Sequence, residues 1–168
     1  LANRMMIISA DAPTVNEWAK WMNEKYGDGW DKRTFAFLSR YEAENYLLKP
    51  PSEGETVHQF PTPRSWTKLA IELMDVEGDD VYEVSTSFVG PEVGAKFAAF
   101  CKTNVRVEDF IEHPEKWDAT RDIDARYMVA LQLASWLAKH REYQDMLRIM
   151  PLVSLMERQY LVVTAMST

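Results

Sequence analysis

The residue of this sequence best suited to chemistry is Arg64, because its neighbours predict a cation in the first turn of a helix. Thr62 is a preferred N-cap residue, and Pro63 falls at the first helical position, where its missing N–H costs nothing. A guanidinium group beside the free backbone N–H groups of a helix start can bind an anion. The alternative is that Arg64 points to solvent or pairs with a carboxylate such as Glu53 or Glu55.

The segment that follows Arg64 predicts the helix that positions its charge. Apolar residues repeat there at the spacing of one buried helical face: Trp66, Leu69, Ala70, Leu73 and Met74. The helix dipole disfavours a cation in the first turn by about 0.3–1 kcal/mol, so Arg64 runs against the usual charge preference. We therefore expect a well-anchored helix that presents Arg64 at its start.

Other kinds of catalytic centre find no support in the sequence. The chain has one cysteine, Cys101, and three histidines that are far apart in the sequence: His58, His113 and His140. These residues have neither metal-ligand spacing nor a nucleophile–base arrangement, so we predict no metal site and assign the histidines no role. Gly90 and Gly94 are not a phosphate loop, since no Lys-Ser or Lys-Thr pair follows them. Close helix packing accounts better for Gly94.

A family resemblance appears in the segment that contains Arg64. Phe60–Trp66, with the sequence Phe-Pro-Thr-Pro-Arg-Ser-Trp, resembles the start of the lid domain in MoxR-type AAA+ ATPases. In that family the arginine of a Pro-Arg pair is the second sensor, which contacts the terminal phosphates of the nucleotide. The resemblance continues in Phe88–Phe97 and, more loosely, in Leu147–Val163. It implies that Arg64 is the second sensor and that Pro63 belongs to the nucleotide-binding segment.

The first residues of the chain fit the same resemblance. The apolar run Met5–Ser9 predicts a short strand that has no partner strand in this sequence, and the chain begins with Leu1 rather than Met. We interpret residues 1–12 as the truncated end of an AAA+ core, and residues 13–168 as a helical lid with a C-terminal helical domain. In the family, an Asn-Arg pair that closes the core supplies an arginine finger to the neighbouring subunit. Arg4 matches that position; the alternative is a frayed terminal arginine without a role.

The resemblance implies a function for the longer protein. It would be a MoxR-like AAA+ ATPase that uses ATP and Mg²⁺, forms a homo-oligomeric ring and remodels or assembles an unidentified client protein. This chain alone lacks both the phosphate loop and the acidic strand end of such enzymes, so we expect it to hold no cofactor and to be inactive. An alternative from another class is a non-catalytic helical adaptor that binds a partner protein through its aromatic-rich faces.

Composition narrows the class of protein. The 168 residues are 46% hydrophobic and 27% charged, which is typical of an ordinary globular protein. A net charge of −7 argues against a broad nucleic-acid surface, which needs clustered lysine and arginine. No apolar run approaches the roughly 20 residues that span a bilayer, so we expect no membrane segment. The single cysteine excludes an intrachain disulfide and suits a reducing compartment, so a cytoplasmic location is expected.

Apolar periodicity and capping signals predict a mainly α protein, a bundle of about seven or eight helices. The first helix follows a capping box of Thr14 and Glu17 and ends at Gly27. A second helix is expected from Asp31 to the Pro50–Pro51 pair. Four residues are expected on its buried side: Phe35, Leu38, Tyr41 and Leu48.

The second half of the sequence contains further helix signals. Gly90–Pro91 predicts a helix start with proline at the first position. The longest helix is expected to begin at Asp122 or Asp124 and to bend or break near His140–Tyr143. Because proline suits the first turn of a helix and not its interior, Pro151 is expected to begin the last helix.

Overall fold

The computed structural model describes residues 11–51 and 59–168, and the regular structure in these two ranges is entirely helical. Ten α-helices follow one another within the described residues: α1 (Val15–Tyr26), α2 (Arg33–Arg40), α3 (Pro63–Glu72), α4 (Asp80–Val89), α5 (Pro91–Cys101), α6 (Val107–Glu112), α7 (Lys116–Ala119), α8 (Ile123–Lys139), α9 (Tyr143–Leu155) and α10 (Arg158–Ser167). The mainly α prediction is confirmed, with ten helices rather than seven or eight. The predicted strand Met5–Ser9 lies outside the described residues. No helix in the described ranges is both long enough and apolar enough to cross a membrane.

The start and end of α1 agree with the sequence signals. Glu17 N donates to Thr14 Oγ1 at 3.2 Å, and Thr14 N donates to Glu17 Oε2 at 2.8 Å, which completes the predicted capping box. Gly27 ends the helix with a φ of 56°, a value that glycine adopts without steric cost. Trp18 and Met22 are buried and form part of the inner face of α1.

The predicted extent of α2 is wrong, because the helix ends at Arg40 instead of continuing to Pro50. A short 3₁₀ turn follows, and Asn45 then takes a left-handed conformation with a φ of 54°. This reversal directs Tyr46 and Leu47 into the core, where both are buried. Burial of these two side chains ends the helix early, and a local pattern of apolar residues cannot reveal that packing.

The core of the helical bundle is centred on the ring of Phe37, which is fully buried. Five aromatic rings from α3, α5 and the turn after α2 lie within 4.8–5.9 Å of it, centroid to centroid: Tyr41, Tyr46, Trp66, Phe97 and Phe100. Aromatic pairs at these separations are favourable beyond the area they bury. This cluster therefore fixes α3 against the bundle.

Helices α4 and α5 pack closely because two glycines permit it. A Cβ atom at Gly94 would lie 2.6 Å from the Cα of Thr86 on α4, so the predicted packing role of Gly94 is confirmed. Gly90 joins the two helices with a φ of 85°, and a Cβ there would overlap the carbonyl oxygen of Gln59. The turn between α4 and α5 is thereby held against the residues that lead into α3.

The C-terminal helices confirm one prediction and correct another. Asp122 is the N-cap of α8, where its Oδ1 accepts from Asp124 N at 2.9 Å, and α8 ends at Lys139, as expected from the predicted break. Pro151, however, does not begin the last helix, since it lies inside α9. Burial of Leu152 in the core holds the helix through the proline despite the lost backbone hydrogen bond.

Candidate functional site

Arg64 lies in the first turn of α3, as the sequence predicts. Pro63 is the first helical residue and Thr62 is the N-cap. Ser65 N donates to Thr62 Oγ1 at 3.0 Å, and Thr62 N donates to Ser65 Oγ at 2.8 Å. These reciprocal hydrogen bonds fix the start of the helix, so the backbone that carries Arg64 has one defined geometry.

The opposite face of α3 is anchored in the aromatic core. Trp66 is fully buried, and its indole Nε1 donates to the carbonyl oxygen of Tyr46 at 2.7 Å. Leu69 and Leu73 are also fully buried, which confirms most of the predicted inner face. Met74 is the exception, with 48% of its surface exposed, because α3 ends at Glu72 and continues as a 3₁₀ turn. A tighter turn rotates Met74 off the face that an α-helix would bury.

Arg64 lines a surface cleft of about 490 Å³ between α3, the segment before it and the end of α4. The lining combines two cations, hydroxyl and amide groups, and two aromatic rings: Gln59, Phe60, Thr62, Arg64, Ser65, Lys68, Ser87 and Phe88. None of these side chains is acidic. Such a combination is suited to an anion that also carries apolar or aromatic surface.

The charges of α3 run opposite to those that usually stabilise a helix. Its first turn contains Arg64 and no acidic residue, and its last turn contains no basic residue. Helix α1 has the usual arrangement, with Glu17 in the first turn and Lys25 in the last. The dipole of α3 and the guanidinium of Arg64 therefore add to the positive potential at the cleft.

The side chain of Arg64 is exposed and forms neither an ion pair nor a hydrogen bond with any residue of 11–51 or 59–168. The alternative partners Glu53 and Glu55 lie outside the described residues. Within the described part, the exposed side chain of Arg64 is thus available to a ligand in the cleft.

Sequence reasoning missed Lys68, Ser87 and Phe88 as residues of this cleft. Lys68 follows Arg64 by four residues, which places the two side chains on one face of a helix, so a signal for it was present. Ser87 and Phe88 reach the cleft only because α4 packs beside α3. Nothing in the local sequence indicates that contact.

Of the other residues considered from the sequence, His113 and His140 do not line the cleft. Arg4 and His58 lie outside the described residues. His113 approaches Glu115 at 3.3 Å on the surface, and the ring of His140 stacks on Trp136 with centroids 4.1 Å apart. In residues 11–51 and 59–168, no three or more His, Cys, Asp or Glu side chains are grouped so that they could hold a metal ion.

Burial shifts the pKa values of side chains elsewhere in the bundle, among them Cys101 and Lys32. Burial raises the pKa of the Cys101 thiol to about 12, so this cysteine is protonated and a poor nucleophile near neutral pH. Burial lowers the pKa of Lys32, the residue directly before α2, to about 8. Neither residue lines the cleft beside Arg64.

The described lining residues therefore form a cleft with cationic and hydrogen-bonding side chains, with Arg64 at the rigid start of α3. Comparison of this chain with protein-family models, with curated proteins and with solved structures finds no match.

Proposed function

We propose that this chain is the helical lid of a MoxR-type AAA+ ATPase and that Arg64 is its second sensor. In this role the guanidinium contacts the terminal phosphates of ATP and neutralises the charge that develops during phosphoryl transfer. The energy released would drive the remodelling or assembly of a client protein in the cytoplasm.

The observation that carries the proposal is the position of Arg64. Its side chain is exposed at a rigidly capped helix start, and it lines a cleft whose described lining residues include a second cation and no acidic group. A purely structural arginine would be expected to pair with a carboxylate or to pack its stem on the core. The resemblance of Phe60–Trp66 to the second-sensor segment indicates that the ligand of Arg64 is the terminal phosphates of ATP.

The proposal assigns the remaining catalytic parts to other regions of the longer protein. A phosphate loop and an acidic strand end would hold ATP and Mg²⁺, since the described residues of this chain offer no metal-binding cluster. Arg4 would reach the active site of a neighbouring subunit in a homo-oligomeric ring. The coding sequence upstream of Leu1 should accordingly encode a phosphate loop, and its absence there would rule the proposal out.

The direct test is the substitution Arg64→Ala. In the longer protein we expect kcat for ATP hydrolysis to fall on the order of a thousandfold, because the guanidinium no longer neutralises the negative charge on the phosphate oxygens in the transition state. In the isolated chain the same change should alter the free energy of unfolding by no more than about 0.5 kcal/mol, because the side chain is exposed. Steady-state kinetics and urea denaturation measure the two effects.

Arg158→Ala is a matched control, since Arg158 is also an exposed arginine in the first turn of a helix. It should leave turnover unchanged. If Arg64→Ala destabilised the chain by several kcal/mol while turnover per folded molecule stayed intact, Arg64 would be a structural residue and the sensor assignment would be wrong.

A second candidate function is that of a protein-binding adaptor, which one observation on α9 favours. Tyr143, Leu147 and Met150 follow one another at i, i+4 and i+7, and are 77%, 53% and 57% exposed. An exposed apolar stripe on a helix can mark a protein-binding surface. If the chain is an adaptor, the triple substitution of these residues by serine should abolish binding of the partner protein. If Arg64 is a nucleotide sensor, the same substitution should leave ATP hydrolysis by the longer protein unchanged.

A further inference from the structure

A second cation lies beside Arg64, where neither the sequence motif nor the family resemblance assigns one. Lys68 is exposed on α3 one helical turn after Arg64 and lines the same cleft. Side chains at i and i+4 of a helix have Cβ atoms about 5–6 Å apart, so the two charges face the same space. Like charges at this spacing destabilise a helix unless an anion lies between them.

No protein group in the described ranges neutralises this pair of charges. Neither the guanidinium of Arg64 nor the ammonium group of Lys68 forms an ion pair there. The salt bridges of residues 11–51 and 59–168 use other cations, for example Lys102 with Asp79 at 2.8 Å and Lys49 with Glu92 at 3.3 Å. Among the described residues, the two positive charges of the cleft thus have no acidic partner, in a chain with a net charge of −7.

The far wall of the cleft directs the charge of an anion towards α3. Ser87 and Phe88, at the end of α4, face α3 across the cleft and contribute a hydroxyl group and a ring. Ser87 Oγ donates to the carbonyl oxygen of Glu83 at 2.8 Å, which leaves the lone pairs of that hydroxyl as acceptors only. Phosphate oxygens are therefore directed to the α3 wall, where the cations lie.

We propose that Lys68 is a second phosphate-binding residue and that the cleft binds a polyphosphate chain rather than a single phosphate group. This inference rests on the proposed function, since Arg64 supplies the first phosphate contact. Two cations one helical turn apart can contact oxygens of neighbouring phosphates, and each charge-assisted contact adds to affinity. A single phosphate ion leaves one of the two cations without a close partner.

The test is an NMR titration of the 168-residue chain with inorganic tripolyphosphate and, separately, with orthophosphate at low ionic strength. We expect saturable shifts of the backbone amides of Ser65, Lys68 and Ser87, with tighter binding of tripolyphosphate. Lys68→Gln should weaken tripolyphosphate binding about twofold to fivefold, which corresponds to the loss of one exposed charge contact. Lys68→Arg should restore it.

Lys139→Gln removes one exposed positive charge from the last turn of α8 and is the matched control. It should leave tripolyphosphate affinity unchanged. Equal weakening by Lys139→Gln and Lys68→Gln would mean that only net charge matters, which overturns the inference. So would a lack of saturable shifts at the cleft, or equal affinity for orthophosphate and tripolyphosphate.

Variants of Arg64 and Lys68 separate polyphosphate binding by Lys68 from the sensor role of Arg64. If Arg64→Gln abolishes tripolyphosphate binding while Lys68→Gln has no effect, Lys68 is excluded and the sensor role of Arg64 stands. If both variants weaken binding, but the longer protein hydrolyses ATP normally with Arg64→Ala, the polyphosphate site is real and the sensor assignment is wrong.

Discussion

At the scale of single residues, Lys32 shows how burial sets the protonation of a side chain. Its ammonium group donates to Asn23 Oδ1 and, at 3.2 Å, to the carbonyl oxygen of Gly27, and it lies 3.8 Å from the ring centroid of Trp30. These contacts and the nearby carboxylate of Asp28 favour the charged form. Burial outweighs them and lowers the pKa from 10.5 to about 8.

This shift predicts a pH dependence of stability. Between pH 8 and about 10.5 the unfolded chain keeps the proton on Lys32 and the folded chain loses it, so the contribution of Lys32 to folding stability rises with pH. Below pH 8 both states are protonated and the cost of burying the charge is fully present. Urea denaturation should be measured for the wild type and for Lys32→Gln across this range. The free energy of unfolding of the wild type, minus that of the variant, should increase with pH.

Lys20→Gln, at an exposed position, is the control for general effects of charge in that titration. This substitution should not change how the free energy of unfolding depends on pH. A constant difference in stability between the wild type and Lys32→Gln from pH 7 to 10.5 would show that the pKa of Lys32 is not lowered.

At the scale of elements, the contact between α4 and α5 determines the shape of the cleft. Gly94 lets the backbones of the two helices approach, and Gly90 leaves space for the carbonyl oxygen of Gln59 at the turn between them. The end of α4 is thereby fixed, and with it Ser87 and Phe88 on the far wall of the cleft.

Gly94→Ala should separate these helices. The added Cβ would lie 2.6 Å from the Cα of Thr86, and a backbone atom cannot move aside as a flexible side chain can. We expect a loss of about 1–3 kcal/mol in the free energy of unfolding, the usual cost of overpacking a core contact. Chemical denaturation measures this loss.

Ala99→Ser adds one atom to an exposed position of the same helix and should change stability by no more than about 0.5 kcal/mol. If Gly94→Ala were as mild as this control, the contact between α4 and α5 would be looser than the structure indicates.

At the scale of the whole molecule, the negative net charge works against the attraction of anions to the cationic cleft. A net charge of −7 repels ATP at long range, although salt screens this effect beyond about 8 Å under physiological conditions. The chain contains no phosphate loop that would wrap the nucleotide with backbone N–H groups. Two surface cations alone give only weak attraction.

The isolated chain should therefore bind ATP no more tightly than the millimolar range and should not hydrolyse it. Isothermal titration calorimetry and a phosphate-release assay test both statements. Micromolar binding with turnover would contradict them and would mean that the chain carries a complete active site of another design.

Part of the site was predictable because its signals are local. Thr62 and Pro63 define the start of α3 through contacts within three residues, and Arg64 follows directly from that start. The cleft was not predictable as a whole. Its far wall depends on the packing of α4 against α3, which brings Ser87 and Phe88 beside residues of α3 that lie far earlier in the chain.

The sequence by itself determined the helical class and the starts of the capped helices, because capping joins a side chain to a backbone group only a few residues away. Tertiary structure decided where α2 ends and that α9 continues through Pro151. Both depend on the burial of distant side chains, such as Tyr46 and Leu152, whose packing outweighs local preference. The same long-range packing placed Lys68 opposite α4 and so formed the cleft beside Arg64.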